Sequence, residues 1–339
     1  MPNACRAAAG WRGGWRIVSS RNGPTWRWRA RSNIMAAPSD VSPGADSSVS
    51  VVIATYRRPD ALARAIDSAL AQSHAPLEVI VAGEDGDTDT AAVVAGHADP
   101  RVRLVVNPVR GGPGPARDLG ARAAHGRFVA FLDDDDLWHP EKLARQVALA
   151  DDRTIVTALS EVVSPEGRLV KPTRPYDGHQ AIDEWLFDRR TWLGGGEAML
   201  QTSSLMVPRA LFDTLGFGSA QHEEWEFAIR ALRTHGYRLA TVPEVLVTYF
   251  TGQIYSWEGS IGWARDTQGL LTPRALSGFC LTVAAQSIPP RGWARMRAAG
   301  RLLGTAVRHG RPTARQLFAF ALIAAVPHGL RRRLRSGAA

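Results

Sequence analysis

Apolar and polar positions follow a regular order along residues 48–132 of the 339-residue chain. Short β-branched apolar runs predict strands, and apolar residues at helical spacing predict helices between them. The first helix has Leu62, Ala65, Ile66, Ala69 and Leu70 on one face. The predicted strands are 48–56, 77–83, 101–106 and 127–132, and the predicted helices are 58–73, 88–97 and 115–126. Strands that alternate with helices in this way indicate an α/β fold with a mainly parallel twisted sheet flanked by helices.

The second half of the chain is less regular. Its pattern predicts a helix at 181–193, a loop that becomes a strand within 194–208, a helix at 223–236 and a strand at 238–250. Helical patterns dominate from about residue 261 onward. The organisation that follows is a disordered extension over 1–47, a catalytic domain over 48–260, and a helical C-terminal extension with a basic tail over 261–339.

The net charge of +9 is distributed unevenly. Residues 1–34 contain seven arginines and no acid, and residues 291–339 contain eleven arginines and no acid. The residues between them hold 23 basic and 32 acidic side chains, so the body of the chain is acidic. This distribution argues against a nucleic-acid-binding core and favours contacts between the termini and an anionic surface such as a membrane.

The cysteine count and the hydropathy pattern narrow the class of protein further. With only Cys5 and Cys280, neither a disulfide framework nor a cysteine-based metal site is expected, which is typical of a reducing cytoplasm. The longest apolar run, 317–326, is half the ~20 residues that span a bilayer. The N-terminus scatters arginines and lacks the apolar core of a secretory signal. We therefore expect a cytoplasmic protein, with a peripheral location on the cytoplasmic membrane face as the second hypothesis.

Four consecutive aspartates, Asp133, Asp134, Asp135 and Asp136, follow the strand predicted at 127–132. Like charges this close repel each other, so the cluster needs either surrounding water or a cation among its oxygens. A solvated turn with one aspartate as a helix N-cap is one interpretation. A site for Mg²⁺ or Mn²⁺ is the other, because these ions prefer carboxylate oxygens and bridge them to substrate phosphates.

Two further polar segments lie where a parallel sheet would place a ligand, and a third polar segment lies at a helix start. The acidic turn 83–89 follows a strand and contains Asp85; the Gly-rich segment 109–120 precedes a helix and contains Arg117. Glu223 and Glu224 stand at the start of the helix predicted at 223–236. Each segment also has a structural interpretation. The segment 83–89 can be a simple turn, the segment 109–120 a flexible loop, and the two glutamates acids that complement a helix dipole.

Taken in order, these segments resemble the inverting family-2 glycosyltransferases of GT-A fold. The segment "VVIATYRRP" is similar to the family's first nucleotide-binding strand, and "EDGDTD" is similar to its acidic turn, shifted by about two residues. The stretch "GGPGPARDLGARAAHGRFVAFLDDDD" is similar to the Gly-rich loop, the following helix and the Asp-x-Asp motif. The segment "HEEWEFAIRAL" stands where the family has Glu-Asp, an aromatic residue and a helix. The resemblance covers residues 50–260.

The resemblance implies roles for individual residues. Glu224 matches the general-base position, where the family more often has Asp, and Glu223 is the next candidate. Asp135 and Asp133 match the metal-binding Asp-x-Asp pair, with Asp133 and Asp134 also near the sugar or ribose. The implied donor-binding residues are Thr55 and Tyr56 beside the nucleoside, Asp85 at the base, and Arg117 at the diphosphate or the acidic loop.

The same resemblance implies the chemistry. A sugar would pass from a nucleotide diphosphate sugar, by default a UDP-sugar, to an acceptor hydroxyl with inversion, and a divalent cation would neutralise the departing diphosphate. The residue types at 185–208 fit sugar, lipid-linked and natural-product acceptors alike. A nucleotidyltransferase on a similar sheet and a non-catalytic sugar-nucleotide-binding protein stay as alternatives. The segment "TYRRPDAL" lacks the glycines that the first would need, and "DDDDLW" lacks the residues of a haloacid-dehalogenase-like phosphatase.

The C-terminal segment 315–335 joins a short apolar helix to four arginines. One hypothesis is a helix packed on the catalytic domain with a solvated basic tail. The other is a peripheral contact with an anionic leaflet, in which each arginine near the surface adds ~1 kcal/mol.

Overall fold

The computed structural model describes residues 14–20, 23–29, 46–165, 167–192, 196–218, 221–251 and 255–326. The chain divides into two compact units, residues 1–45 and residues 46–339. In the first unit, strands β1 (Gly14–Ser20) and β2 (Gly23–Arg29) pair antiparallel. The sequence pattern did not predict this pairing. The predicted disorder of 1–47 falls largely outside the described residues and stays a prediction.

The second unit contains an α/β arrangement in which most predicted elements of 48–133 are confirmed. Its strands are β3 (Val49–Ala54), β4 (Glu78–Glu84), β5 (Val102–Asn107), β6 (Phe128–Asp133), β7 (Leu137–Trp138), β8 (Thr154–Ser164), β9 (Gly167–Lys171), β10 (Met206–Pro208) and β11 (Arg238–Phe250). Its helices are α1 (Pro59–Leu70), α2 (Thr88–Gly96), α3 (Pro113–Arg122), α4 (Lys142–Val147), α5 (Ile182–Phe187), α6 (Glu223–Thr234), α7 (Trp257–Asp266), α8 (Pro273–Gly278), α9 (Gly292–His309) and α10 (Ala314–Ala325).

These nine strands form one sheet among the described residues, in the order β5-β4-β3-β6-β10-β8-β11-β7, with β9 beside β8. The strands β5, β4, β3 and β6 run parallel, as the alternation of strands and helices predicts. Strand β10 pairs antiparallel with β6 and β8, and β7 pairs antiparallel with β11, so the second half of the sheet is mixed. The predicted α/β class with a GT-A arrangement is confirmed.

Both faces of the sheet are covered, which explains why its central strands are apolar along their whole length. Successive side chains of a strand point to opposite faces. In β3, Val52 packs with α3 and the helices of the second half, whereas Val51 and Ile53 pack with α1 on the other face. The apolar face predicted for α1 is confirmed, because Leu62, Ala65, Ile66 and Ala69 are buried there.

The second half of the chain departs from the prediction in two places. The helix predicted at 181–193 ends at Phe187, and the extended backbone of Asp188 terminates it. The long strand β8 has no counterpart in the prediction, because polar residues such as Thr157 and Ser160 interrupt its apolar pattern. Both side chains are buried, and Thr157 Oγ1 lies 2.7 Å from Ser204 Oγ.

The helical C-terminal region is confirmed and packs on the sheet. Phe279, Leu302 and Phe320, from three successive parts of this region, belong to the same core cluster as Val52 of β3. The apolar helix predicted near 317–326 is α10, and it buries Ala319, Phe320 and Ile323. The arginines at 331–335 lie outside the described residues. No helix in the described part of the chain is long and apolar enough to cross a membrane. The predicted domain boundary after residue 260 stays a prediction.

Gly120 of α3 allows this helix to lie directly on β3. A Cβ atom at position 120 would lie 2.5 Å from Val52 Cγ1. We expect Gly120→Ala to lower the free energy of unfolding by about 1–3 kcal/mol, the usual cost of overpacking a core. Denaturant unfolding measures this. The matched control is Gly96→Ala, because a Cβ atom at the end of α2 meets nothing within 4 Å. Equal stability of the two variants would contradict the packing argument.

Candidate active site

A cleft of about 520 Å³ lies at the carboxyl ends of the parallel strands. The last residues of β3, β4 and β6, which are Ala54, Glu84 and Asp133, line its floor. This is the edge at which open α/β sheets bind ligands. The sequence-predicted residues that line the cleft together are Thr55, Tyr56, Arg117, Asp133, Asp134, Asp135, Glu223 and Glu224.

The four consecutive aspartates have different environments. Asp133 and Asp135 are partly exposed at the cleft, and the Asp135 side chain is 40% accessible. Asp134 and Asp136 are buried. The row therefore presents two partly solvated carboxylates to the cleft, and the other two are held by protein donors.

Asp134 is fixed from the side of β3. The Thr55 hydroxyl donates to Asp134 Oδ2 over 2.7 Å, and Arg58 Nη1 donates to Asp134 Oδ1 over 3.1 Å. The same Arg58 nitrogen donates to Asp135 Oδ2 over 2.9 Å. Burial raises the pKa of Asp134 above its ordinary value despite these bonds. Arg58 thus supplies a cation, more than half exposed, beside two of the four carboxylates.

Asp136 joins three segments of the chain behind the cleft. Gln201 Nε2 and the Ser203 hydroxyl donate to Asp136 Oδ2, and the Phe250 N–H donates to Asp136 Oδ1 over 3.0 Å. Burial, followed by the charge of Asp133, raises the pKa of Asp136 to about 8. We interpret Asp136 as a structural member of the row, because its oxygens are occupied by donors from distant segments.

Arg117 of α3 lies between the acidic loop and the start of α6. Its Nη2 donates to Asp133 Oδ1 over 2.5 Å, and its Nη1 donates to Glu223 Oε1 over 2.6 Å. Burial opposes the charge of this guanidinium, but Asp133 and Glu223 raise its pKa above the ordinary value. One buried cation therefore holds together two segments that are 90 residues apart in the sequence.

Glu223 and Glu224 occupy the first turn of α6 and are both buried. The residue before them, His222, has a left-handed backbone with φ of 63°, which is uncommon outside glycine and asparagine. The His222 ring stacks on Trp225 at 4.7 Å, and its Nε2 lies 2.9 Å from Ser260 Oγ. Burial, followed by the charge of Glu223, raises the pKa of Glu224 to about 8. A carboxyl group of this kind can exchange a proton near neutral pH.

The residues that were predicted to bind the nucleoside, at positions 55, 56 and 85, do not all line the same cavity. Thr55 and Tyr56 line the main cleft, and the Arg110 guanidinium lies 4.3 Å from the centre of the Tyr56 ring. Asp85 is exposed and lines a separate, smaller cavity of about 200 Å³. Its neighbour Glu84 lines the main cleft, where its Oε1 accepts from the N–H of Gly112 over 3.3 Å.

Several cleft residues were not singled out from the sequence. Arg58 lies within the quoted segment "VVIATYRRP" and Arg110 directly precedes the Gly-rich stretch that begins at Gly111, so their basic charge beside an acidic site was the available signal. The aromatic residues near the end of β11 had no such signal, because their distance from the aspartates depends on the pairing of β11 with β8. The polar and aromatic lining residues that were missed are Arg58, Arg110, Gln201, Thr202, Tyr249, Phe250 and Tyr255, whereas Glu84 was the sequence-based alternative to Asp85.

The donor set at the cleft fits a cation that substrate oxygens help to coordinate. No group of three histidine, cysteine or acidic side chains is placed to hold a metal within the described ranges. Mg²⁺ commonly needs only one or two carboxylates and takes its other ligands from water and phosphates. Asp135 and Asp133 supply two hard carboxylates at the cleft surface, which is compatible with that mode of binding.

The fold and the position of the cleft agree with the GT-A class. Residues 50–216 match the family model described as "Glycosyl transferase family 2", so this part of the chain is identified with that family. The sequence-based identification of the family is confirmed.

Two curated relatives illustrate the range of similarity. Succinoglycan biosynthesis protein ExoO of Rhizobium meliloti is 42% identical over 125 residues, which cover 36% of this chain and 36% of that protein. Amylovoran biosynthesis glycosyltransferase AmsB of Erwinia amylovora is 27% identical over 219 residues, 60% of this chain and 70% of that protein. The match therefore spans about a third of the length of ExoO and the greater part of AmsB.

A third relative and a solved structure extend the comparison. The Escherichia coli protein named UDP-Glc:alpha-D-GlcNAc-diphosphoundecaprenol beta-1,3-glucosyltransferase WfgD is 34% identical over 104 residues, 31% of this chain and 41% of that protein. The crystal structure of S. aureus TarS 1-349 superposes with a TM-score of 0.55 at 16% identity, covering 86% of this chain and 91% of that one. This structural likeness supports the fold.

The position of Arg117 predicts a pH-dependent loss of stability on its removal. Arg117→Met leaves Asp133 and Glu223 without their shared cation, so we expect the free energy of unfolding at pH 8 to fall by about 3–5 kcal/mol. The loss shrinks toward pH 5, because the unpaired carboxyls can then take up protons. Denaturant unfolding at both pH values measures it, with exposed Arg64→Met as the control. A loss at pH 8 no larger than that of the control would contradict the bridging role.

Proposed function

We propose that the chain is an inverting glycosyltransferase that moves a sugar from a nucleotide diphosphate donor to an acceptor hydroxyl. The observation that carries the proposal is the arrangement of one cleft, in which Glu224 and the Asp133–Asp135 pair lie around a single buried arginine. Sugar transfer requires a group that accepts the proton of the acceptor hydroxyl and a site that binds the diphosphate of the donor.

Glu224 is the proposed general base. Its carboxylate takes the proton of the acceptor hydroxyl while that oxygen forms a bond to the anomeric carbon. The bond from this carbon to the diphosphate oxygen breaks, and the diphosphate leaves with the electron pair. Attack from the face opposite the leaving group inverts the anomeric configuration. The raised pKa of Glu224 suits this role, and such assistance is typically worth ~10²–10⁴-fold.

Asp135 and Asp133 are proposed to hold a divalent cation, Mn²⁺ or Mg²⁺, together with the donor. When bound, the cation supplies neutralisation of the negative charge that develops on the leaving diphosphate. Arg117 keeps Asp133 in place and at the same time fixes Glu223 beside the base. Arg58 shares Asp135 and can turn toward a phosphate, because more than half of its side chain is solvent-exposed.

Thr55, Tyr56 and Asp134 are proposed to form the nucleoside side of the cleft. Asp85, expected at the base, lies on the neighbouring smaller cavity, so its role requires a donor that reaches over the end of β4. Glu84 is the alternative, since it lines the main cleft and its Oε2 has no partner within the described structure.

A uridine nucleotide is the proposed donor because the name of one relative, WfgD, specifies UDP-Glc.

The acceptor is proposed to be a lipid-linked saccharide. The printed name of WfgD specifies a diphosphoundecaprenol-linked acceptor, and ExoO and AmsB are named for the biosynthesis of succinoglycan and of amylovoran. A lipid-linked acceptor would place the protein at the cytoplasmic face of the membrane, in agreement with the basic C-terminal region.

We expect Glu224→Gln to lower kcat/KM by ~10²–10⁴-fold while donor binding is retained, because glutamine keeps the size but cannot accept the proton. In the parent, the ionised base is required, so kcat/KM should rise with pH and level off above an apparent pKa of about 8. Glu258→Gln, at an exposed residue in the first turn of α7, is the matched control. A variant at position 224 within a few-fold of the parent, with the same pH profile, would exclude Glu224 and leave Glu223.

Asp135→Ala should abolish transfer and leave the thermal unfolding of the protein nearly unchanged, because the carboxylate is partly exposed on a loop. The measurement is release of nucleoside diphosphate from nucleotide sugars with and without Mn²⁺, and surface Asp152→Ala is the control. Unchanged metal-dependent release would contradict the metal site. Release of pyrophosphate instead would indicate a nucleotidyltransferase, and donor binding without any turnover would indicate a sugar-nucleotide-binding protein.

A further inference from the structure

Helix α9 carries a second apolar face that the core does not cover. Its inner face buries Ala298, Leu302 and Ala306. On the opposite side, Trp293, Met296 and Val307 are 75%, 65% and 59% exposed. The exposed residues Gly300 and Gly304 fall between them, and the spacing 293, 296, 300, 304, 307 places all five on one side of an α-helix. We call these five residues the outer stripe.

Arginines border the outer stripe. Arg297, Arg301 and Arg308 are exposed and follow stripe residues by one position, so they lie along one edge of it. The last acidic residue of the chain is Asp266, and the 73 residues after it contain twelve arginines. Nothing in α8, α9 or α10 therefore offsets the positive charge beside the stripe. An apolar strip with a purely cationic border is complementary to an anionic, partly apolar surface.

The end of α10 lies beside the first turn of α9. Arg295 Nη2 donates to the carbonyl oxygens of Ile323 and Ala324, over 3.0 and 2.6 Å. Helix α10 exposes its own apolar side chains, Leu317, Phe318 and Leu322, each by more than a third. In the sequence, the arginines at 331–335 follow α10.

We propose that the outer stripe of α9 docks on the surface of an anionic phospholipid bilayer. The helix lies in the plane of the headgroups, with Trp293 and Met296 inserted at the acyl boundary and the arginines on lipid phosphates. Tryptophan is enriched at this depth of a membrane, because its ring is apolar and its N–H stays hydrated. Eighteen residues of amphipathic helix with four arginines would lie on a bilayer and not cross it.

A second copy of the chain is the competing occupant, and charge argues against it. An isologous interface would place the stripe of one copy against the same stripe of another. Arginines at the same edge would then face arginines, with no acidic residue on α9 to pair with them. The bilayer assignment agrees with the proposed lipid-linked acceptor but does not depend on it, since vesicle binding needs neither donor nor acceptor.

The test is co-sedimentation of the full chain with vesicles of phosphatidylglycerol and of phosphatidylcholine, at low and high salt. We expect binding to phosphatidylglycerol only, weakened by salt. Trp293→Ser/Met296→Ser should weaken binding by roughly tenfold or more through lost insertion. Arg297→Gln/Arg308→Gln should weaken it by about fivefold per arginine. The matched controls are Leu77→Ser, an exposed apolar residue elsewhere, and Arg64→Gln.

Each outcome decides the proposal. Unchanged binding of the stripe variants, or equal binding of the parent to both lipids at low salt, would overturn it. Loss of a dimer in the stripe variants, measured by light scattering without vesicles, would assign the stripe to a second copy. Thermal unfolding of each variant confirms that it is folded, and Trp293→Ala replaces a serine variant that is not. If transfer to a soluble acceptor is lost while vesicle binding is intact, the result would contradict the proposed function and leave the docking proposal standing.

Discussion

The buried guanidinium of Arg117 is the interaction on which the candidate site depends. Without a cation at this position, Asp133 and Glu223 would bring two carboxylates into the same poorly solvated space. With it, the end of β6 and the start of α6 are held at a fixed separation, although one lies on the parallel half of the sheet and the other follows the mixed half. A lysine would provide the charge but not the two diverging donors that this bridge uses.

The four aspartates are likewise arranged so that each buried carboxyl group has a protein partner. A row of four like charges is tolerable here because Asp133 and Asp135 are partly solvated, whereas Asp134 and Asp136 accept hydrogen bonds from buried protein donors. Asp134 depends on Thr55 of the first strand loop, and Asp136 depends on the 201–203 turn and on the end of β11. Loss of any of these donors would leave a buried carboxyl group unsatisfied, so the acidic loop has little freedom to move.

The sequence predicted the parallel half of the sheet well because its strands are buried on both faces and read as continuous apolar runs. It also brought the aspartates and Arg117 to one edge, since parallel strands end together, whereas the glutamate pair was placed in the site by the family resemblance alone. It did not predict β8, whose buried Thr157 is satisfied by Ser204, 47 residues away. Nor could it place Asp85 on the smaller cavity or Tyr255 in the cleft, since both positions depend on how loops pass the strand ends.

The C-terminal helices take part in the site through His222. This residue takes a left-handed backbone conformation that would be strained for an unsupported histidine, and it directly precedes the glutamate pair. Its support comes from Ser260 and Trp263 of α7 and from Phe279 after α8, whose rings lie 5.5 and 5.2 Å from the His222 ring. Phe279 belongs to the same core cluster as the inner face of α9. The helix that we assign to the membrane surface and the turn that presents the proposed base therefore rest on one continuous core, so the two proposed functions would share the same structural support.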